Sequence, residues 1–537
     1  MNEFGPLNWS ILIVYIIANL LLGYVLSKKI NTSDDFYLGN KTTPWWAIGI
    51  SVIATYVSAL TFLGAPAWAY QEGMGAIAIH LNYPLVIIAV VCLFFPFFYN
   101  AGVASIYEYQ EKRFGKKARL MVSSIWIMSQ TMSSAAVLYA TSLVLSFILN
   151  IDVVAAIFIV TIIALIYTML GGITAVIWTD VIQSAILFIG AGIIMYALIT
   201  EMPTNFDDTL SKLKDLGKLD PLNYSFDFFQ TTTVWSGVLA MSVYHITVYG
   251  TNQMMVQRTL AAKNIGDAKK SYLLMGFVAF FIYLFFIVMG VLFYGYYDGR
   301  EFENPNTIIL TFAADYGMPG LMGIIAAAVM AASMSSLDSA LNSLSTITTL
   351  DFYQKYFAKD KTDAHYLKAT RVFTLFWALI IIVPAIMYHL HAAGSILEIL
   401  TKVGSFFVGA QLGMFALGFF SKHTTERGLL VGTAFAFASV TYVALATDLA
   451  WPWFSVVGVT VSIVASIAAS ILLDGFQKEY SEYTIKGQLR MFITENKPMK
   501  ENGWYLVPGK VDSINYVLFA FFILSISSLV LFEYWVD

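Results

Sequence analysis

Long apolar stretches recur along the whole chain and decide its class of fold. An α-helix needs about 20 predominantly apolar residues to cross the hydrocarbon core of a bilayer. With 58% hydrophobic and only 12% charged residues, the 537-residue chain also lacks the balance of a soluble domain. The sequence therefore predicts an all-α polytopic membrane protein with about 14 transmembrane helices. The predicted spans lie near residues 8–28, 44–70, 75–100, 119–149, 153–170, 177–200, 232–254, 271–297, 319–349, 370–390, 396–420, 427–447, 451–474 and 512–534.

Lysine and arginine are distributed unevenly between the loops that join these spans. Cytoplasmic loops of membrane proteins hold the excess of both residues. If the N-terminus lies outside, 25 of the 30 Lys and Arg residues fall in inner loops, Arg258 among them, and Lys402 lies within a span. The outer loops then hold only Lys212, Lys214, Lys218 and Arg300. We therefore predict a multi-pass protein of a plasma or bacterial inner membrane, with both termini outside.

The remaining composition argues against several functions. The net charge of −4 gives no reason to expect a nucleic-acid partner. A single cysteine, Cys92, excludes a disulfide framework and a cysteine-based metal cluster. The six histidines include no HxxxH or HxxE spacing on a helix. We expect a protein that is not an enzyme and has no organic cofactor, acting in the lipid bilayer as a monomer or weak oligomer.

The ninth span carries a carboxylate among serines. Asp338 lies in a bilayer-length apolar helix with Ser335, Ser336 and Ser339 close to it. A charge at the centre of a membrane helix costs roughly 2.5–3.5 kcal/mol on insertion scales and normally faces water, a cation or a proton path. Carboxylate and hydroxyl oxygens are hard ligands that suit a small cation. The alternative is that the serines are small residues that let helices pack closely.

Two spans are predicted to be interrupted at matching positions, five helices apart. The second span contains Gly64 and Pro66, and the seventh is predicted to break near residues 249–252. Paired interruptions indicate a transporter built from inverted repeats, with the substrate bound near mid-membrane. The predicted organisation is an extra N-terminal helix and loop at 1–43, a first repeat at 44–200, an extracellular loop at 201–231, a second repeat at 232–420 and extra C-terminal helices at 421–537.

Five segments together resemble the sodium/solute symporter family, which includes sodium–glucose and bacterial sialic acid symporters. The segments are DDFYLGNKTTPWWAIGISVIA, IYEYQEKRFGKKAR, GGITAVIWTDVIQ, GTNQMMVQRTLAAKNIGDAKK and SSLDSALNSLSTITTLDFY. The resemblance implies a LeuT-type fold of ten core helices in two inverted sets of five, with one extra helix before them and three after. It also implies sodium-coupled symport of a small polar solute by alternating access, with one or two sodium ions.

The resemblance implies a principal sodium site and, as in some members, a second cation site. The principal site would comprise the carbonyls of Ala54, Val57 and Ala332 and the side chains of Ser335 and Ser336. The second site would comprise Asp180, Ser336, Asp338 and Ser339. Asp338 stands where the family usually has a hydroxyl residue, so two carboxylates would strengthen cation binding or one would hold a proton. Asp180 has an alternative interpretation as a helix cap or interface residue.

The resemblance also implies which residues face the substrate. These are Tyr56, Ser58, Thr61, His80, Asn82, Gln130, Ser133, His245, Tyr249 and Thr401 or Lys402. Nearly all are aromatic or neutral hydrogen-bonding residues, which suits a sugar or sugar derivative. A sialic acid or small carboxylate is the alternative, favoured if an unpaired Lys402 enters the cavity. Ser133 weakens the sialic acid alternative, because it stands where the sialic acid branch has an arginine for the carboxylate.

Two alternatives come from other classes of protein. A cation channel would need a continuous polar pore with rings of charge or carbonyls, whereas the polar groups here are scattered near two breaks. A membrane sensor would need a signalling domain, which we do not expect after residue 474. Both interpretations are therefore secondary to a symporter.

Overall fold

The computed structural model describes residues 4–27, 37, 39–103, 105–170, 173–391 and 395–536. Lys28 and Lys29, predicted for an inner loop, and Gly171 and Gly172 of the third resembling segment lie outside the described residues. Nearly all of the described chain is helical, and its strands, β1 (Lys500–Glu501) and β2 (Trp504–Tyr505), form an antiparallel hairpin.

Helices occupy every predicted span. In chain order the α-helices are α1 Pro6–Ser27, α2 Trp45–Tyr56, α3 Ala65–Glu72, α4 Tyr83–Ala89, α5 Phe95–Ala101, α6 Glu108–Arg113, α7 Lys116–Leu149, α8 Val153–Leu170, α9 Ile173–Thr200, α10 Phe206–Asp215, α11 Met241–Gly250, α12 Gln253–Leu260, α13 Ile265–Tyr296, α14 Ile308–Tyr316, α15 Leu321–Ile347, α16 Asp363–His391, α17 Ile396–Phe420, α18 Glu426–Ala446, α19 Pro452–Asp474, α20 Ile485–Thr494 and α21 Ile514–Val536. The π-helical segments are Leu60–Gly64, Val90–Phe94, Ser236–Ala240 and Thr348–Phe357, and the 3-10 segments are Gly39–Lys41, Gly73–His80 and Pro305–Thr307.

The distribution of apolar surface fits a bilayer. Ten helical stretches among the described residues are long and apolar enough to cross a membrane. Peripheral helices leave large apolar side chains exposed, as at Leu445 and Leu472, whereas α15 is buried along almost its whole length. A polar, serine-rich helix inside an apolar shell is the arrangement of a membrane protein whose function lies at its centre.

The first broken helix is interrupted at Val57 and Ser58. Helix α2 ends at Tyr56, Val57 leaves the helical conformation with φ −79° and ψ 81°, and the chain is helical again from Ala59 into the π-helical segment Leu60–Gly64. The predicted break at Gly64 and Pro66 is therefore wrong in position. Pro66 follows the π-helical segment Leu60–Gly64 directly, and such a local π-helical adjustment lets a membrane helix tolerate a proline.

The second broken helix is interrupted where the sequence predicts it. Helix α11 ends at Gly250, Asn252 is extended, and α12 begins at Gln253. The side chain of Asn252 caps α12 by accepting from the N–H of Met254 over 2.9 Å. Two breaks in α2–α3 and α11–α12 therefore confirm the paired interruptions.

The segments outside the helical core are fastened to it. In the loop that begins at residue 201, α10 forms a short helix, and the carbonyl of Lys218 accepts from the N–H of Met74 over 2.9 Å. Near the C-terminus, Asp512 pairs with the buried Lys269 over 2.6 Å. Because these contacts tie loops to membrane helices, neither segment is a separate domain.

Candidate ion and solute sites

The buried helix α15 borders a very small cavity, which we call the ion cavity. It measures about 10 Å³ and lies between α2, α9 and α15. Its lining includes four of the five residues that the resemblance assigns to the principal sodium site, Ala54, Val57, Ala332 and Ser335. A cavity of roughly 10–15 Å³ holds one water-sized guest. The ion cavity therefore has the dimensions of a site for a single dehydrated ion.

Ser336, the fifth of those residues, belongs to the neighbouring cavity. Its Oγ donates to the carbonyl of Thr55 over 2.9 Å, and both residues line the larger cavity described below. Ser336 therefore joins α15 to α2 next to the ion cavity.

A buried ion pair lies against the ion cavity. Asp180 on α9 and Arg258 on α12 are fully buried, with 3.2 Å between Oδ2 of Asp180 and Nη2 of Arg258. Ser335 donates to Oδ1 of Asp180 over 2.6 Å, and Ser51 donates to Oδ2 while accepting from Nε of Arg258 over 2.7 Å. Arg258 also donates to Ser339. Both oxygens of the Asp180 carboxylate thus have partners, as a buried charge requires.

The four residues predicted for a second cation site have different hydrogen-bond partners. Asp180 and Ser339 share Arg258 as a partner, whereas Asp338 faces α8. Oδ1 of Asp338 accepts from Thr168 over 2.8 Å, and Oδ2 has no hydrogen-bond partner among the described residues. The physical reason is that α15 is buried all round, so residues one position apart meet different helices.

Arg258 was predicted to lie in an inner loop, and that prediction is wrong. Its assignment to an inner loop is contradicted by its complete burial, and Ser51, its second partner, was not predicted at all. Arg119, at the start of the predicted span 119–149 and also among the 25 residues counted in inner loops, is buried against Asp351 over 2.5 Å. The signal in the sequence was the position of Arg258 soon after the predicted second break. In the structure it lies in the short helix α12, of which nearly every residue is buried.

A larger cavity, which we call the solute cavity, lies where the two broken helices meet α7 and α17. It measures about 100 Å³. None of the described residues that line it carries a charge, and hydroxyl and amide groups alternate with leucine, valine and methionine side chains. The predicted substrate residues among them are Tyr56, Ser58, Thr61, Gln130, Ser133 and Thr401.

Asn252 is a solute-cavity residue that was not predicted. Its Nδ2 donates to Oε1 of Gln130 over 3.3 Å, and its Oδ1 accepts from Nε1 of Trp126 over 2.9 Å. The second break is thereby fixed to α7. An asparagine directly at a predicted break was the available signal, since its side chain can satisfy unwound backbone.

The other predicted substrate residues do not line the solute cavity. His80, Asn82, His245 and Tyr249 are buried beside it in a cluster of aromatic and polar side chains, behind Tyr56 and Tyr283. Lys402 is exposed and, unlike its neighbour Thr401, does not line the cavity, so it places no charge there. The condition under which Lys402 would favour a carboxylate substrate is therefore not met.

Paired helix breaks around an ion-sized cavity and a polar cavity define a secondary membrane transporter. A model of the sodium:solute symporter family matches residues 36–435. The sodium/sialic acid symporter NanT of Aliivibrio fischeri is 29% identical over 86% of this chain and 92% of its own length. The sodium/glucose cotransporter of Vibrio parahaemolyticus is 28% identical over 75% of this chain and 77% of its own.

The architecture agrees with these sequence relatives. The solved structure of a Na⁺-coupled sialic acid symporter, in a substrate-bound outward-open state, is 27% identical with a TM-score of 0.81 and covers 89% of this chain and 100% of that one. The chain belongs to the sodium:solute symporter family. It is a sodium-coupled, multi-pass membrane transporter and not an enzyme, and its predicted LeuT-type fold is confirmed. The count of fourteen spans stays a prediction.

Proposed function

We propose that one sodium ion binds in the ion cavity and drives the symport of a small, uncharged polar solute held in the solute cavity. The observation that supports coupling is the alternation of residues 54–58 between the two cavities. Ala54 and Val57 line the ion cavity, while Thr55, Tyr56 and Ser58 line the solute cavity. An ion that orders this stretch, the last turn of α2 and the first break, also orders one wall of the solute cavity.

The hydroxyl of Ser335 is prepared for a cation by Asp180. A serine hydroxyl has one hydrogen and two lone pairs, and Ser335 gives its hydrogen to Oδ1 of Asp180. Both lone pairs are then free for sodium, and the carboxylate polarises the oxygen that bears them. Asp180 thus stabilises the ion indirectly, through its hydrogen bond with Ser335, while Arg258 balances the charge of Asp180.

A second ion in the set Asp180, Ser336, Asp338 and Ser339 is less well supported than the first. It would have to displace Arg258, whose guanidinium occupies the space between Asp180 and Ser339. We therefore propose one coupling ion, with Asp338 outside its ligand set.

The solute is proposed to be a sugar or sugar derivative. Its hydroxyls would exchange hydrogen bonds with Gln130, Ser133 and Asn252, and its ring would pack on Tyr56 or Tyr283. A sialic acid or small carboxylate is the second candidate, favoured by the names of the relatives and opposed by a lining that offers the carboxylate no positive charge.

Transport would follow from differential affinity for sodium. If the ion binds the outward-open state better by a few kcal/mol, it loads the carrier from outside, and the repeats at 44–200 and 232–420 then rock between two orientations. We propose that both termini lie outside a plasma or bacterial inner membrane and that the protein acts as a monomer or weak oligomer.

Ligand-dependent thermal stability tests the proposal. Purified protein would be melted with glucose, N-acetylneuraminic acid or pyruvate, each in sodium chloride and in potassium chloride, because a ligand that binds the folded state raises the Tm. A rise with glucose in sodium alone is expected. Equal rises in both salts would contradict sodium coupling, and a sodium-dependent rise with pyruvate or N-acetylneuraminic acid alone would favour the carboxylate candidate.

A further inference from the structure

Tyr56 separates the solute cavity from the buried cluster of polar and aromatic side chains behind it. It ends α2 at the first break and lines the cavity with a half-buried side chain. The centroid of its ring lies 5.3 Å from that of Tyr249, 6.1 Å from that of Tyr83 and 6.4 Å from that of Tyr283. His80 stacks at 3.5 Å on Tyr283, which lines the cavity as Tyr56 does. The rings of Tyr56 and Tyr283 therefore separate the cavity from this cluster, and Tyr56 is the partition in front of His245 and Tyr249.

A chain of hydrogen bonds holds the partition in place. The hydroxyl of Tyr56 lies 2.8 Å from Nε2 of His245, and Nδ1 of His245 lies 2.7 Å from Oδ1 of Asn82. Asn82 in turn donates through Nδ2 to the carbonyls of Ile79 and Gly237, over 3.0 and 2.8 Å. The pair Tyr56–His245 joins the first broken helix to the second, and Asn82 joins both to the turn that precedes α4.

The donors and acceptors of this chain are determined by counting hydrogens. Both amide hydrogens of Asn82 are used, so its Oδ1 accepts and Nδ1 of His245 donates. His245 is fully buried with no carboxylate among its described contacts, and burying an unpaired charge is costly, so its ring is neutral. Nε2 then accepts from the hydroxyl of Tyr56. The tautomer of His245 is thus fixed by Asn82.

The space behind Tyr56 has unused hydrogen-bonding capacity. The hydroxyl of Tyr249 is buried with no partner among the described residues. In front of Tyr56, the solute cavity of about 100 Å³ is small beside the roughly 300–1,000 Å³ of pockets for drug-sized ligands. A solute too large for the cavity would find both room and partners if the ring of Tyr56 were absent.

We propose that Tyr56 sets the upper size limit of the solute site and that His245 is the positioning residue that holds it there. The proposal rests on the proposed function, in which the solute cavity receives the transported molecule. It explains why His245, Asn82 and Tyr249, all predicted to contact the substrate, are set behind Tyr56, while His80 lies behind Tyr283. In this proposal these residues hold the ring of Tyr56 in place, or they form a wall that only a larger solute would reach.

The size limit is tested with Tyr56→Ala and a matched control, Tyr70→Ala, which removes a tyrosine from the same broken helix at its contact with Arg300. Half-saturating concentrations of glucose and N-acetylneuraminic acid would be taken from sodium-dependent Tm shifts. Wild type and the control should favour glucose, and Tyr56→Ala should tighten N-acetylneuraminic acid at least tenfold relative to glucose. An unchanged ratio in Tyr56→Ala, or wild-type binding that already favours N-acetylneuraminic acid, would overturn the limit.

The positioning role is tested by combining substitutions. His245→Ala alone should shift the same ratio in the same direction as Tyr56→Ala, but less, because the ring remains and only its anchor is lost. In the Tyr56→Ala background, His245→Ala should add nothing, since it acts through Tyr56. Full additivity in the double variant would show that His245 acts on its own account.

A measurement without solute separates this proposal from the proposed function. In nitrogen-15 NMR of histidine-labelled protein, the signal missing from His245→Ala should show a hydrogen on Nδ1, and its Nε2 resonance should move in Tyr56→Phe. A hydrogen on Nε2 would overturn the chain whatever solute is carried. If no solute binds to any variant, the proposed function and the size limit fail together, and this spectrum still decides how Tyr56 is held.

Discussion

The ion cavity and the solute cavity differ in how their polar groups are held. At the ion cavity, Ser335, Asp180 and Arg258 form a charged network that joins α15, α9 and α12. At the solute cavity, Gln130 and Tyr56 are held by neutral partners, Asn252 and His245. The ion cavity is therefore held by electrostatics in a fully buried setting, and the solute cavity by shape and neutral hydrogen bonds.

This difference predicts where the molecule tolerates change. A buried charge that loses its partner is strongly destabilising, whereas a neutral hydrogen bond contributes about 1 kcal/mol. Substitutions at the ion cavity should therefore alter folding and sodium response together. Substitutions at the solute cavity should alter selectivity and leave stability nearly unchanged.

The largest effect is expected for Arg258→Met. It leaves Asp180 buried without its cationic partner, which typically costs about 3–5 kcal/mol. Thermal unfolding should show a large fall in Tm and no further rise with sodium, while the exposed Arg427→Met serves as control. The double variant Asp180→Asn/Arg258→Met should recover part of the loss. A double variant as unstable as the sum of the single ones would show that the two residues do not act as a pair.

A smaller effect is expected for Ser335→Ala. The substitution removes a predicted sodium ligand, and the loss of about 1.4 kcal/mol of binding free energy corresponds to a tenfold weaker affinity. Half-saturating sodium, measured from Tm or uptake, should rise about tenfold or more. Ser333→Ala on the same helix should not change half-saturating sodium, because the Ser333 hydroxyl donates to the carbonyl of Val329 and accepts from the hydroxyl of Thr141. An equal change in half-saturating sodium for the two variants would show that Ser335 is not a sodium ligand.

Ser133→Arg should change selectivity with little effect on sodium. A guanidinium in a cavity without other charges would attract a carboxylate and displace neutral hydroxyls. We expect the half-saturating concentration of pyruvate to fall about tenfold relative to that of glucose, as an ion pair of about 1.4 kcal/mol would give. Ser133→Gln, similar in reach but uncharged, controls for the loss of space. The same ratio in both variants would place residue 133 outside the solute contacts.

The smallest effect is expected for Lys402→Ala. Because Lys402 is exposed and outside the cavity lining, its removal should change solute and sodium affinities by no more than about twofold, as for most surface substitutions. Uptake driven by a sodium gradient in proteoliposomes measures both. A tenfold loss of pyruvate uptake alone would mean that the ammonium enters the cavity during transport.

The helices could be predicted from the sequence because each depends only on a local run of apolar residues. Four of the five residues that the resemblance assigns to the principal sodium site line one cavity, and sodium binding there stays a prediction. The first break was misplaced by several residues because Pro66 is a strong breaker in sequence, yet the π-helical turn that precedes it accommodates the proline within a membrane helix.

The side-chain partners could not be predicted. Helix α15 is buried on all sides, so spacing alone does not say that Ser335 meets Asp180 while Asp338 meets Thr168. Nor does it reveal that the ring of Tyr56 covers His245. These contacts depend on helix packing between residues more than 150 positions apart.

Equilibrium binding of radioactive sodium to the purified protein tests the central claim most directly. The ion cavity has room for one ion, and the second predicted site is occupied by Arg258, so binding should saturate at one sodium per chain. Ser335→Ala should weaken that binding about tenfold or more, and Ser333→Ala should leave it as in the wild type. Saturation at two ions, or full-affinity binding by Ser335→Ala, would contradict the account.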